Sequence, residues 1–305
     1  MEKLVFAFTP AAGEPEEEII MLVGSIRQFS GSLAEKPVYL LIQANEDCLS
    51  SSTLTALSKW DVKIIPFQIE PEFRQFPFAA KVFASAAAEK IAKRSSEILV
   101  WLDPDTLFIQ EPTDFLLPDY ISLAARPVMH TLIGSPVDQP VDKFWQFIYT
   151  KCKVGSEQIF TVHTPVDSNE LRAYFNAGLL VLRPKAGILA RWQKNFRHLY
   201  RHSYLKSLYL KNRLYQVFIH QAVLTGSILS LLKPEEITIF SELYNYPLLL
   251  HSKMPQPIRI NRLNEAVTCR YDQFSLFQKP DWDQMIPIEE PLSGWLNGLL
   301  EKRPA

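Results

Sequence analysis

Short apolar runs alternate with helical patterns through the first hundred residues of the chain. The apolar runs have the length of buried strands and lie at residues 4–9, 37–43, 62–67 and 97–102. The segments between them have the spacing of amphipathic helices and lie at residues 16–29, 51–60 and 78–94. Strands that alternate with helices indicate βαβ units. We therefore predict an α/β fold with a mostly parallel, mixed central sheet flanked by helices.

The second half of the chain is less regular. Its apolar runs predict strands at residues 121–126, 179–182, 236–240 and 247–251. Its amphipathic segments predict helices at residues 141–151, 187–202 and 216–232. Residues 154–172 are polar and predict a long loop, a length that is often functional. Prolines are frequent beyond His251, before a last amphipathic turn at 293–302, so we expect one domain over residues 1–255 and a Pro-containing extension over residues 256–305 that packs on it.

Composition argues against several classes of protein. Lys and Arg number 32 against 33 Asp and Glu, so the charge gives no reason to expect a nucleic-acid partner. Cys48, Cys152 and Cys269 lie far apart without a Cys-x-x-Cys pair, which argues against a zinc site or a disulfide framework and fits a reducing cytoplasm. No run of 18 apolar residues is present, so a membrane span is not expected, while a peripheral membrane contact stays open.

Two aspartates follow the fourth predicted strand. Asp103 and Asp105 are separated by one residue, so both carboxylates can turn toward one cation, and such hard oxygen ligands suit a metal that binds a sugar diphosphate. The same spacing recurs at Asp281 and Asp283, but in a Pro-rich tail without a preceding strand. The alternative for Asp103 and Asp105 is a simple turn in which the carboxylates cap backbone amides.

The segment 98–116, an apolar strand that runs into Asp-Pro-Asp-Thr and then a second strand, resembles the nucleotide-sugar site of the glycosyltransferase-A fold. It is most similar to the glycogenin-like retaining glycosyltransferase family 8. The segment 174–184, which contains Phe-Asn-Ala-Gly, is similar to a second strand motif of that family. His251 ends an apolar run that follows these two motifs. In that order along the chain it corresponds to the histidine that binds the metal in the family. Without the resemblance, His251 would be interpreted as a strand-end surface residue.

The resemblance implies a single Rossmann-like glycosyltransferase-A domain, with a donor-binding part at about 1–125 and an acceptor-side part at about 126–255. It implies metal-dependent transfer of a hexose from a nucleotide-diphosphate sugar, such as a UDP-sugar, to a hydroxyl acceptor, with retention of configuration. The acceptor class would be a saccharide or a lipid-linked sugar. The implied metal is Mn²⁺, or Mg²⁺, held by Asp103, Asp105 and His251, since a mixed nitrogen and oxygen set suits Mn²⁺ somewhat better.

Further residues carry over from the family one at a time. Asp103 would also contact the donor, and Lys81 matches a helix lysine that reaches the donor, although a lysine on an apolar helix face is commonly a snorkelling surface residue. Asn176 is suited to hydrogen-bond sugar hydroxyls, with a simple turn cap as the alternative. Thr9 ends the first strand, where the resemblance implies backbone contacts to the nucleotide base. Lys253 or Arg259 is a candidate to bind the diphosphate, although neither is in register with the family's Lys-Pro.

The chain departs from the family pattern at one important place. The family usually has Asp-Gln at the start of a helix, where this chain has His220 and Gln221. Gln221 carries over as a catalytic candidate, but His220 offers no carboxylate, so it is either an acid or base or a structural residue. This departure keeps open a non-catalytic sugar-nucleotide-binding protein. A nucleotidyltransferase is a third hypothesis, which lacks a Gly-rich phosphate loop, since only Gly13 separates the first strand and helix.

Overall fold

A computed structural model describes residues 2–10, 13, 15–44, 49–279 and 281–301. Its strands are β1 (Glu2–Phe8), β2 (Val38–Gln43), β3 (Val62–Phe67), β4 (Ser96–Leu102), β5 (Thr106–Phe108), β6 (Leu123–Pro127), β7 (Thr161–His163), β8 (Glu170–Arg172), β9 (Phe175–Leu182), β10 (Ile237–Ile239), β11 (Tyr246–Pro247) and β12 (Thr268–Arg270). Its α-helices are α1 (Glu17–Phe29), α2 (Ser51–Lys59), α3 (Ala79–Ser95), α4 (Lys143–Cys152), α5 (Ile188–Tyr200), α6 (Ser203–Tyr209), α7 (Arg213–Leu229) and α8 (Leu292–Leu300).

Seven of these strands form the central sheet, in the order β10-β6-β9-β4-β1-β2-β3. Strands β3, β2, β1 and β4 are parallel neighbours, and β10 is parallel to β6. Strand β9 runs antiparallel to both β4 and β6. The prediction of an α/β fold with a mostly parallel, mixed sheet is therefore confirmed.

Both faces of the central sheet are covered, because successive side chains of a strand point to opposite faces. Leu99 and Trp101 of β4 pack into one apolar core with helices α3, α4, α5 and α7. Ile98, Val100 and Leu102 pack into a second core with α1 and α2. The middle strands are therefore continuous apolar runs, as parallel sheets with helices on both faces require.

A buried carboxylate joins two of the helices on the first face. Glu89 of α3 accepts hydrogen bonds from the backbone N–H groups of Leu189 and Ala190, at 3.0 and 2.8 Å, in the first turn of α5. These are donors that a helix start leaves without intrahelical partners. Burial raises the pKa of Glu89 to about 7.

Three segments differ from the prediction. The predicted loop 154–172 contains an antiparallel pair formed by β7 and β8. The predicted strand at 247–251 is wrong, since only Tyr246–Pro247 is extended and Leu248–Lys253 forms a 3-10 helix. A short apolar run does not by its pattern distinguish a strand from a helical turn. Helix α6 was not predicted, because its seven residues are too short for a clear period.

The C-terminal extension is part of the fold. Strand β12 lies between β11 and β5 in a three-stranded sheet, so the predicted boundary at residue 255 separates two paired strands. A third apolar core joins Leu107 and Ile109 to Cys269, Leu292 and other residues of this region. Within the described ranges, no helix has the length and apolar character needed to cross a membrane.

Candidate active site

The aspartate pair lies in the turn between β4 and β5. The backbone N–H of Asp103 donates to the carbonyl of Gly178 on β9 at 2.7 Å, which places the two sequence motifs side by side. Asp105 is partly buried, and its Oδ1 is a buried atom with no hydrogen-bond partner among the described residues. Burial, followed by the charge of Asp103, raises the pKa of Asp105 to about 7. A carboxylate in this state is suited to receive a cation.

Lys81 of α3 is paired with Asp103. Its Nζ lies 2.7 Å from both carboxylate oxygens, and the two side chains are only 16% and 15% exposed. The ion pair is thus shielded from water, unlike a surface pair. The lysine does not extend into solvent as the surface alternative requires, and its Nζ also lies 5.5 Å from the centre of the Phe78 ring. Lys81 therefore belongs to the group of residues around Asp103.

Strand β9 passes close to Asp103 because residue 178 has no side chain. A Cβ built on Gly178 would lie 2.6 Å from Asp103 Oδ2 and 2.9 Å from Asn176 Oδ1. Asn176 Oδ1 accepts a hydrogen bond from the Gly178 N–H at 2.7 Å. Because residue 178 is glycine, the β9 backbone, the Asn176 amide and the Asp103 carboxylate can lie within contact distance of one another.

Asn245 is a site residue that the sequence reasoning missed. Its Nδ2 lies 3.4 Å from Asn176 Oδ1, and its own Oδ1 is buried with no hydrogen-bond partner in the described part of the chain. The residue is 1% exposed and has a φ of 52°. Asparagine tolerates that left-handed conformation better than most residues. The sequence offered only an asparagine between two tyrosines, which does not by itself indicate a site.

Helix α7 brings Gln221 to the same strand. The Ala177 N–H donates to Gln221 Oε1 at 2.9 Å, so this glutamine lies next to the Asn176 segment. His220, in contrast, is 3% exposed and stacks on Phe78 with ring centres 4.6 Å apart. Burial, assisted by the charge of Lys81, lowers the pKa of His220 well below its ordinary value. The ring is therefore neutral, and its position favours the structural alternative.

Three other candidates lie in different settings. His251 is in the 3-10 helix Leu248–Lys253, where its Nδ1 is 2.8 Å from the Tyr246 hydroxyl, and Lys253 is exposed at the end of that helix. Thr9 is buried, and its hydroxyl donates to the Leu41 carbonyl at 2.8 Å. In the described ranges, no three His, Cys, Asp or Glu side chains form a group that could hold a metal ion. The three-residue metal set thus stays a prediction.

Arg270 and Asp272 were also missed. Arg270 is opposite Thr106 in the pairing of β12 with β5, and the Tyr271 N–H donates to the Asp105 carbonyl at 3.1 Å. Arg270 Nη2 lies 3.0 Å from Asp272 Oδ1. Both residues belong to the Pro-containing extension, and no pattern in the sequence placed that segment beside Asp105.

Solved structures show the same fold. An active-site mutant of the glycosyltransferase LgtC aligns with 99% of this chain and 97% of its own, at 14% identity and a TM-score of 0.50. The bifunctional glycosyltransferase WbbM aligns over 99% of this chain and 51% of its own, at 13% identity and a TM-score of 0.51. The chain accordingly has the glycosyltransferase-A fold.

A match to a family model shows that the protein is a glycosyltransferase. The model of the Rhodobacterales glycosyltransferase domain matches residues 6–225, and the chain belongs to that family. The matched range contains the aspartate turn, Lys81, the Asn176 strand and Gln221. No curated protein matches the sequence.

Proposed function

We propose that this glycosyltransferase moves a hexose from a nucleotide-diphosphate sugar, with UDP-sugars as the donor class, to a hydroxyl group of a saccharide or lipid-linked acceptor. The observation that supports it most is the convergence of Asp103, Lys81, Asn176 and Gly178 at one edge of the sheet. In α/β sheets, ligands bind outside the carboxyl ends of the strands, which is where β4 ends.

The residues at this edge provide part of the ligand set that a divalent cation needs. Asp103 and Asp105 offer carboxylate oxygens, and the unpartnered Oδ1 of Asp105 is the group that a cation would satisfy. We propose that these two residues hold Mn²⁺ or Mg²⁺ and that donor diphosphate and water complete the shell. His251 would bind through Nε2, because its Nδ1 lies against the Tyr246 hydroxyl, and residues 248–253 would have to bring it to the aspartates, since no three metal-ligating side chains are grouped in the described ranges. The cation would act as a Lewis acid on the leaving diphosphate.

The chain's own groups have distinct roles in this proposal. Lys81 fixes the Asp103 carboxylate and adds positive charge where the diphosphate leaves. Asn176 and Gln221 are amides suited to hydrogen-bond the transferred sugar. The base would contact the backbone near Thr9, and Lys253 would have to approach from the exposed 3-10 helix. Retention of configuration is the expected outcome, and the anomeric form of the product, measured by proton NMR, tests it.

The first test is ligand-dependent stabilisation. A panel of nucleoside diphosphates and their sugars is added with and without Mn²⁺, and the melting temperature is measured. Stabilisation by the metal and nucleotide together should disappear in Asp105→Ala. Asp283→Ala is the matched control, because Asp283 belongs to the other Asp-x-Asp sequence and is exposed. Equal stabilisation in both variants, or none in the wild type, would contradict the proposal.

A non-catalytic nucleotide-sugar-binding protein is the second candidate, favoured by the buried, neutral His220 where the family has an aspartate. Release of nucleoside diphosphate separates the two, because a binder without turnover releases none.

We also propose the cytoplasm as the compartment, which the buried free thiols of Cys152 and Cys269 support. Cys48 lies outside the described residues.

A further inference from the structure

Arg270 places a positive charge next to the aspartate turn from a part of the chain that the family match does not include. It ends β12, whose antiparallel pairing sets Arg270 opposite Thr106, the residue after Asp105. The following residue, Tyr271, bonds to the Asp105 backbone, so the arginine is anchored to the turn on its C-terminal side.

The guanidinium of Arg270 is held in place but has donors to spare. Its side chain is 18% exposed, and its ion-pair partner in the described part of the chain is Asp272, at 3.0 Å from Nη2. Its Nε is a buried donor with no hydrogen-bond partner among the described residues. An arginine has five N–H donors in a planar fork that matches phosphate oxygens. Because Nε is enclosed, the donors that a ligand can reach are the Nη groups that the ion pair does not use.

Asp272 is suited to orient this fork. It has a φ of 65°, a left-handed position that turns the chain back directly after Tyr271. That turn brings its carboxylate to the guanidinium two residues earlier. The side chain of Asp272 is 31% exposed, so it is more accessible to solvent than the side chain of Arg270.

We propose that Arg270, positioned by Asp272, binds the diphosphate of the donor and gives donor binding a component that needs no metal ion. This inference rests on the proposed function, because it concerns the same donor. Among the described residues no three His, Cys, Asp or Glu side chains form a group that could hold a metal ion, and Arg270 provides fixed positive charge beside the aspartate turn. A guanidinium bound to phosphate would also stabilise the leaving group as charge develops on it.

The experiment is calorimetric titration in EDTA with a nucleoside diphosphate, the matching monophosphate and the nucleoside. The base is the one that the wild type prefers among uracil, guanine, cytosine and adenine. The wild type should bind the diphosphate measurably without metal. Arg270→Gln should weaken that binding by about 10–100-fold, the range for a charge-assisted phosphate contact, and leave nucleoside binding unchanged. Arg262→Gln is the control, since Arg262 is an exposed ion-pair residue of the same extension.

Two more variants keep the test sharp if Arg270→Gln is unstable. Arg270→Lys keeps the charge without the planar fork, and Asp272→Asn keeps the arginine without its ion pair, so each should lose part of the diphosphate preference. If the Arg270 variants bind the diphosphate in EDTA as tightly as the wild type does, the role of Arg270 is overturned, while the proposed function is not affected. A wild type that binds no nucleotide with or without Mn²⁺ would overturn the proposed function, and this inference with it.

Discussion

Replacement of Gly178 by alanine tests the close approach of strand β9 to the Asp103 carboxylate. The new Cβ would lie 2.6 Å from Asp103 Oδ2 and 2.9 Å from Asn176 Oδ1. Both distances are well below an ordinary contact between carbon and oxygen, so the strand or the two side chains must move by roughly 0.5–1 Å. The side chains that must move are those that we propose to bind the donor.

The expected loss follows from that displacement. A misplacement of about 1 Å at a reacting centre costs about 100-fold in rate. Overpacking of a buried contact costs about 1–3 kcal/mol of folding stability. We therefore expect Gly178→Ala to lower kcat/KM by about 100-fold, with a loss of stability too small to unfold the protein at 25 °C.

The assay compares Gly178→Ala with Gly298→Ala. Gly298 lies in α8, and a Cβ there meets no atom within 4 Å, so the control should be neutral or more stable by about 0.5–1 kcal/mol. Nucleoside diphosphate release gives kcat/KM, and urea unfolding gives stability. Wild-type turnover in Gly178→Ala would refute the proposal that Asp103 and Asn176 act together on the donor.

Three further changes have defined outcomes. Because burial raises the folded pKa of Glu89 to about 7 from 4.5, its contribution to stability falls as pH rises between these values. Between pH 5 and pH 8 the free energy of unfolding, measured with urea, should fall by about 2.5 kcal/mol more in the wild type than in Glu89→Gln. Equal pH dependence of the two proteins would contradict this. Lys81→Met leaves Asp103 unpaired, so nucleoside diphosphate affinity by calorimetry should fall at least tenfold; unchanged affinity would exclude a donor role. His220→Phe keeps the stack on Phe78, so turnover should change less than tenfold, whereas a loss above 1,000-fold would identify an acid or base.

Much of the fold was predictable because its signals are local. The buried strands β1, β4 and β9 are continuous apolar runs, and the helices between the early strands have a clear period. The aspartate turn and the Asn176 segment were both recognised as family motifs, and the Asp103–Gly178 hydrogen bond shows that they are adjacent in the fold.

The missed residues depend on long-range pairing. Arg270 reaches the aspartate turn through a three-residue strand, which is too short to have a recognisable period. Asn245 reaches Asn176 from 69 positions away in the chain. The His220 environment is likewise tertiary, because Phe78 and Trp192 come from other segments.

Release of nucleoside diphosphate measures directly whether this chain turns over a nucleotide sugar. A panel of nucleotide sugars is incubated with Mn²⁺ and a mixture of saccharide acceptors, and the products are identified by mass spectrometry. We predict turnover of at least one donor by the wild type and by Asp283→Ala, with a loss of at least about 100-fold in Asp105→Ala. Absence of turnover with every donor, or equal turnover in Asp105→Ala, would contradict the account.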